Sequence, residues 1–169
     1  MADVFSKTKR SEVMSKIRAK GNKGTEMVLM RLLRINRISG WRRHVVLKFD
    51  AEKIKYLKIS KRESFSWKPY ALVDFVFQQE KVAIFVDGCF WHGCLKHSNR
   101  PANNRIFWKK KLKRNEARDQ WVNKMLRLHG WRVVRIWEHE LEQPLKKRVI
   151  RERRIVDRIQ KAKEPRNRR

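Results

Sequence analysis

Acidic residues are scarce. The 169-residue chain carries 17 Asp and Glu against 45 Lys and Arg, a formal net charge of +28. An excess of that size repels itself unless an anionic polymer neutralises it. Nucleic acid fits best, because each phosphate contact also releases condensed counterions. Long apolar runs are missing as well. No stretch reaches 18 apolar residues, and there is no signal-peptide or lipidation pattern, which argues against a membrane surface as the partner. Cysteine is almost absent, with only Cys89 and Cys94. Two thiols five positions apart, beside histidines, do not make a disulfide framework. They point to a reduced, cytoplasmic protein whose thiols serve a metal.

Against these absences stand seven Trp and eight Phe in a chain that is 41% apolar. That is enough large side-chain surface for one domain with its own core. The expected organisation is a basic N-terminal arm or helix over 1–23, a central domain over 24–141, and a basic C-terminal helix and tail over 142–169. A segment at about 50–70, rich in Lys, Ser and Glu, reads as a long hairpin or an inserted loop.

Within the central domain Thr25 can cap a helix to about Asn36, with Val28, Leu29, Leu32 and Leu33 on one face. Glu26 falls in its first turn, where the helix dipole favours an acid. "WRRHVVLKF" (Trp41 to Phe49), "ALVDFVF" (Ala71 to Phe77), Val82 to Val86 and "WRVVRIW" (Trp131 to Trp137) read as strands. Arg105 to His129 reads as a helix closed by Gly130. Pro144 can open a last helix to about Lys163. The pattern predicts an α/β fold with a mixed sheet flanked by helices.

Asp74 is a lone carboxylate in an apolar strand. Left uncompensated there it costs on the order of several kcal/mol. It points to solvent, pairs with an arginine or binds a metal. Asp87 ends the next strand, and an acid pair in a nucleic-acid-binding chain suits a Mg²⁺-dependent phosphodiesterase. Cys89, Cys94 and His97 have the spacing C-x₄-C-x₂-H, and a tetrahedral zinc site needs a fourth ligand. His139, just after the last strand, is a candidate if its strand lies beside the one ending at Asp87. The bland alternative makes the cysteines small core residues and the histidines surface groups. His92 is left as a fourth ligand, a general acid or base, or a satisfied surface group. Phe90 and Trp91 follow a glycine turn. They either pack in the core or wedge between bases, and Trp108 either joins them or packs on its own helix.

The series "VDFVF…KVAIFVDGCFWHGC…FWKKKLKRNEARD…LHGWRVVRIWEHEL" resembles the very short patch repair endonucleases, which nick DNA beside a T·G mismatch. "RSEVMSKIRAKGNKGTEMVLMRLL" resembles the opening of that family. The likeness covers most of 8–141 apart from the segment at 50–70. It implies a restriction-endonuclease-like core with a structural zinc and a catalytic Mg²⁺. Carried over residue by residue, it makes Asp74 the magnesium ligand, together with the main chain at Val86. Cys89, Cys94, His97 and His139 become the zinc ligands, and His92 the general base. Glu26 matches an acid that orders the waters on magnesium. Phe90, Trp91 and Trp108 match aromatics that intercalate beside the mismatch, and Asn115 and Arg118 lie in a segment facing DNA.

The chain departs from the family pattern in places. Val73 stands where a proline usually precedes the catalytic aspartate. Asp87 stands where a second histidine is frequent, so it is expected to bind or orient magnesium. His139 replaces a cysteine-type ligand. The resemblance implies a monomer acting on double-stranded DNA in the cytoplasm, with other mismatch-repair proteins as candidate partners. Two other readings fit the residues: a related nicking or homing-type endonuclease with a different target, and a non-catalytic zinc-containing DNA-binding module.

Overall fold

The computed structural model describes residues 25–50, 68–97, 101, 103–142 and 145–165. The basic arm, most of the 50–70 segment and the end of the C-terminal tail lie outside the described residues.

Helix α1, Glu26–Ile35, buries Leu29, Leu32 and Leu33 at helical spacing. Thr25 sits at its N-cap, but its side chain makes no capping hydrogen bond. Four strands follow the expected order: β1 Trp41–Lys48, β2 Tyr70–Phe77, β3 Val82–Asp87 and β4 Arg132–Trp137. They lie side by side as β1-β2-β3-β4. The first three are antiparallel neighbours, and β4 runs parallel to β3. A parallel pair needs a long crossover. Helix α2, Arg105–Leu128, supplies it, and ends before Gly130, whose φ of +82° suits a residue without a Cβ. A short helix α3, Glu138–Leu141, and helix α4, Leu145–Lys163, complete the described chain.

The sheet is covered on both faces. On one side α1 and α4 pack Leu29, Leu33, Ile155 and Ile159 against Phe75, Phe77, Ile84 and Ile136. On the other α2 packs Val122, Met125 and Leu126 against Val73, Ala83 and Phe85. Burial on both faces explains why β3 reads as a continuous apolar run rather than an alternating one.

One irregularity positions everything that follows. Successive odd-numbered residues of a strand should share a face. Yet Ala71 and Val73 belong to the α2 side, whereas Phe75 and Phe77 belong to the α1 side. In β1, Trp41 packs on the α1 side, but Val45 and Leu47 pack on the α2 side. Both strands therefore roll over at the same level. The ladder pairs Arg43 with Phe75 and Val45 with Val73, so the rolled-over pair is His44 opposite Asp74. His44 has φ +53°, a left-handed conformation that costs a non-glycine residue roughly 1–2 kcal/mol. Beyond Phe75↔Ile84 the β2–β3 ladder stops, while β3 stays paired with β4 as far as Asp87↔Trp137. The sheet thus forks at Asp74.

Candidate active site

Asp74 fills the fork. Its Oδ2 accepts a hydrogen bond from the Val86 N–H at 2.8 Å, where a neighbouring strand's carbonyl would otherwise sit. Burial raises its pKa to about 6. The Val86 N–H and His44 pull it down, while the charges of Glu26 and Asp87 push it up. The negative charges of Glu26 and Asp87 thus act on Asp74 in the direction that a bound cation would relieve. Among the described residues no arginine pairs with Asp74, whose hydrogen-bond partner is the Val86 N–H.

Glu26 comes to the site from the first turn of α1 and is only 6% exposed. Its Oε2 receives Arg43 Nη2 and His44 Nε2, each at 2.6 Å. Arg43 lies over the Phe75 ring at 5.5 Å.

Asp87 is held differently. It is 2% exposed, and Arg135 grips it with Nε at 2.5 Å and Nη2 at 2.7 Å. Arg135 also donates to Asn123 Oδ1 at 3.1 Å. The same Oδ1 that accepts Arg135 Nη2 lies 3.6 Å from His92 Nδ1. Asp87 is therefore one member of a buried charge network rather than a carboxylate open to solvent. Arg135→Ala would strand that charge, and a buried ion left unpaired costs about 3–5 kcal/mol. Denaturant unfolding should show a loss of that size, with partial recovery in Arg135→Ala/Asp87→Asn.

His92 Nδ1 meets Asp119 Oδ2 of α2 at 2.5 Å. Burial disfavours the Asp119 charge, but the His92 hydrogen bond and the Arg135 and Arg118 charges outweigh it. They hold the carboxyl below its ordinary range, so Asp119 is ionised and the ring nitrogen facing it carries the proton. Nε2 is then the nitrogen left to act as a base.

The loop after β3 carries the rest. Phe90, Trp91 and Trp108 form one aromatic group, with ring centroids 4.9 Å apart for Phe90–Trp91 and 5.2 Å for Phe90–Trp108. All three are partly exposed. Asn115 donates its amide to the Trp91 carbonyl at 3.0 Å, tying this loop to α2. Arg118 is about half exposed beside Asp119, at 3.1 Å.

Cys89, Cys94, His97 and His139 converge, their ligand atoms all within 4.8 Å of one another. Cys89 Sγ is 3.1 Å and Cys94 Sγ 3.6 Å from His139 Nδ1. Because β4 runs parallel beside β3, α3 starts next to the β3 loop, which is the adjacency His139 required. Glu138 Oε2 accepts the Cys89 N–H at 2.9 Å and fixes the start of the loop. Burial and the neighbouring Cys94 thiol push the Cys89 thiol up to about 11, so a metal bound here must displace a proton. Two thiols and two imidazoles are a donor set suited to tetrahedral zinc.

His44, Asp119, Arg135 and Glu138 join the site without a role expected from sequence. Arg135 carried the same signal as Asp74, a charge inside an apolar strand. Asp119 lay inside the quoted "NEARD". His44 gave no signal in a segment read as an ordinary strand.

A mixed four-stranded sheet with helices on both faces and a carboxylate in its fork is consistent with an α/β nuclease fold. Residues 58–99 match the family model described as DNA mismatch endonuclease Vsr. Type II nicking enzyme V.NmeAIP of Neisseria meningitidis serogroup A is 34% identical over 166 residues, covering 96% of this chain and 99% of the relative. Type II nicking enzyme V.NaeI of Lentzea aerocolonigenes is 54% identical over 67 residues, 40% of each chain. DNA mismatch endonuclease Vsr of Escherichia coli K12 is 38% identical over 66 residues, 38% of this chain and 42% of the relative. The chain thus spans less than half the length of two of these relatives and nearly all of the third. It belongs to the Vsr endonuclease family. No helix among the described residues is long and apolar enough to cross a membrane.

Proposed function

We propose that the protein is a DNA endonuclease that nicks one strand of a duplex beside a T·G mismatch, with Mg²⁺ as catalytic cofactor and Zn²⁺ as structural metal. The observation that carries this reading is Asp74 in the sheet fork, its Oδ2 on the Val86 N–H at 2.8 Å where the β2–β3 ladder has ended. The names of the relatives, a mismatch endonuclease and nicking enzymes, support the reaction class.

The basic surface, including Lys109 to Lys111 and Lys113, holds the phosphate backbone and sets register without reading sequence. Phe90, Trp91 and Trp108 press on a base step, and a mispair opens more cheaply than a matched pair. Asp74 and the main chain at Val86 would hold Mg²⁺, which supplies Lewis-acid polarisation of the scissile phosphate and neutralises charge on the leaving oxygen. His92 Nε2 takes the proton of the attacking water, while Nδ1–H stays bonded to Asp119. The ionised Asp119 fixes the ring and stabilises the imidazolium that forms. Asp87 and Arg135 anchor this pair from beneath. Cys89, Cys94, His97 and His139 fix the loop that carries the aromatics and His92.

His92→Ala should slow nicking by about 10²–10⁴-fold, with Asp119→Asn falling between it and the wild type. The deciding assay compares T·G-containing, fully paired and single-stranded substrates with Mg²⁺ and with EDTA. Cutting confined to the mismatched duplex with Mg²⁺ supports the reading. Equal cutting of paired duplex identifies a nicking enzyme with another target. Binding without cleavage identifies a non-catalytic module.

A further inference from the structure

His44 is a costly residue in a place where cost needs a reason. It interrupts the β1–β2 ladder with φ +53°, a left-handed conformation that few non-glycine residues adopt. It stands directly across the ladder from Asp74, between the pairs Arg43↔Phe75 and Val45↔Val73. Its side chain is spent on Glu26, with Nε2 2.6 Å from Oε2. A carboxylate oxygen can only accept, so the imidazole donates. Arg43 Nη2 donates to the same oxygen at 2.6 Å. Arg43 accepts its own penalty, since its Nε is buried with no hydrogen-bond partner among the described residues, an omission worth roughly 1–3 kcal/mol. Backbone strain and an unsatisfied donor at adjacent positions, both serving one buried acid, are the pattern of local stability given up for geometry.

We propose that His44, together with Arg43, is a positioning residue that clamps Glu26 at the mouth of the sheet fork so that the Glu26 carboxylate faces the cation site of Asp74. This rests on the nuclease reading above for the identity of the cation. Glu26 reaches the fork from a different element than Asp74. The first turn of a helix can rotate away from a sheet edge unless something fixes it there. Arg43 fixes the charge, and His44, turned out of the ladder by the left-handed backbone, fixes the direction. Releasing the clamp weakens the cation site without touching His92 or Asp119.

The test uses the full chain with His44→Asn and His44→Gln. Asparagine keeps the left-handed backbone unstrained but is too short to reach Glu26. Glutamine restores an amide donor at longer reach. Mg²⁺ binding is followed by isothermal titration calorimetry, and the Mg²⁺ concentration for half-maximal nicking is measured in parallel. His44→Asn should raise the Mg²⁺ dissociation constant and the half-maximal Mg²⁺ concentration by about tenfold or more, the usual scale for losing an outer partner of a metal ligand. It should leave the rate at saturating Mg²⁺ within about threefold, and it should unfold no earlier than wild type in thermal melts. His44→Gln should recover a substantial part of the shift. A folded His44→Asn with wild-type Mg²⁺ dependence in both measurements overturns the proposal. So does a shift that appears only as lower thermal stability. If the wild type fails to nick any substrate, the nuclease reading falls, and the calorimetric comparison still decides the role of His44.

Discussion

Asp74→Asn should lower Mg²⁺-dependent nicking by about 10³-fold or more, the rate equivalent of about 4 kcal/mol of lost transition-state stabilisation. The same substitution should make the metal-free protein harder to unfold at about pH 8. Both effects come from one placement. The carboxyl ionises in the folded chain only near pH 6, against an ordinary value of 3.8. The native state therefore binds its proton more tightly than the unfolded chain does. Such a group favours folding fully only while both states are protonated, below about pH 4. Stability then declines as pH climbs from about 4 to above 6, by roughly 3 kcal/mol in total. Asparagine keeps an oxygen for the Val86 N–H and carries no charge, so it escapes that decline. Chemical denaturation across pH 4 to 8 in EDTA should show the two curves meeting at the acid end and parting toward neutrality. Mg²⁺ should stabilise wild type but not the variant. DNA binding at constant salt should persist in the variant, because the basic surface is unchanged. Undiminished nicking by Asp74→Asn would remove this carboxylate from the mechanism.

Cys94→Ala should reduce bound zinc from about one ion per chain to nearly none and lower the melting temperature by on the order of 10 °C. Nicking should fall at least about 100-fold. The reason lies in what the loop carries. Cys89 and Cys94 bracket Phe90, Trp91 and His92, so under the proposed mechanism a slack loop would misplace the aromatics and the base together. Metal analysis, thermal melts and the T·G nicking assay read these three outcomes. Asp74→Asn, which leaves the cluster intact, should retain its zinc and serves as the control. Wild-type activity in a zinc-free Cys94→Ala would exclude a positioning role for the cluster.

Much of this arrangement was legible in the residues. The strands announced themselves because burial on both faces of β3 leaves no polar positions to confuse the pattern. Helix α2 was marked by Val122, Met125 and Leu126 and by the glycine beyond its end. Cys89, Cys94 and His97 were legible through their spacing in the β3 loop, whereas His139 was a candidate only on condition that β4 lies beside β3, which the structure supplies. What escaped was set by tertiary geometry. A carboxylate replacing a strand partner, as Asp74 does for Val86, leaves no periodic trace. Nor does the roll-over at His44, which in "WRRHVV" looks like any half-buried strand position. Asp119 sits sixteen positions before Arg135, and only the crossover of α2 onto β4 brings them into one network around His92. Asp87 was expected at the metal, but the bidentate grip of Arg135 gives it a partner that the spacing could not foretell.

The link between Cys89 and His139 joins residues 50 positions apart. Everything between them, including the whole of α2, hangs inside one closed circuit of chain. Opening it at the cysteines slackens the turn that carries Trp91 and His92 to Asn115 and Asp119, while Val122, Met125 and Leu126 keep α2 seated on the sheet. Zinc stripping should therefore act as a local release at the mouth of that ring, while the antiparallel β1–β2 pair with Asp74, outside it, keeps its shape.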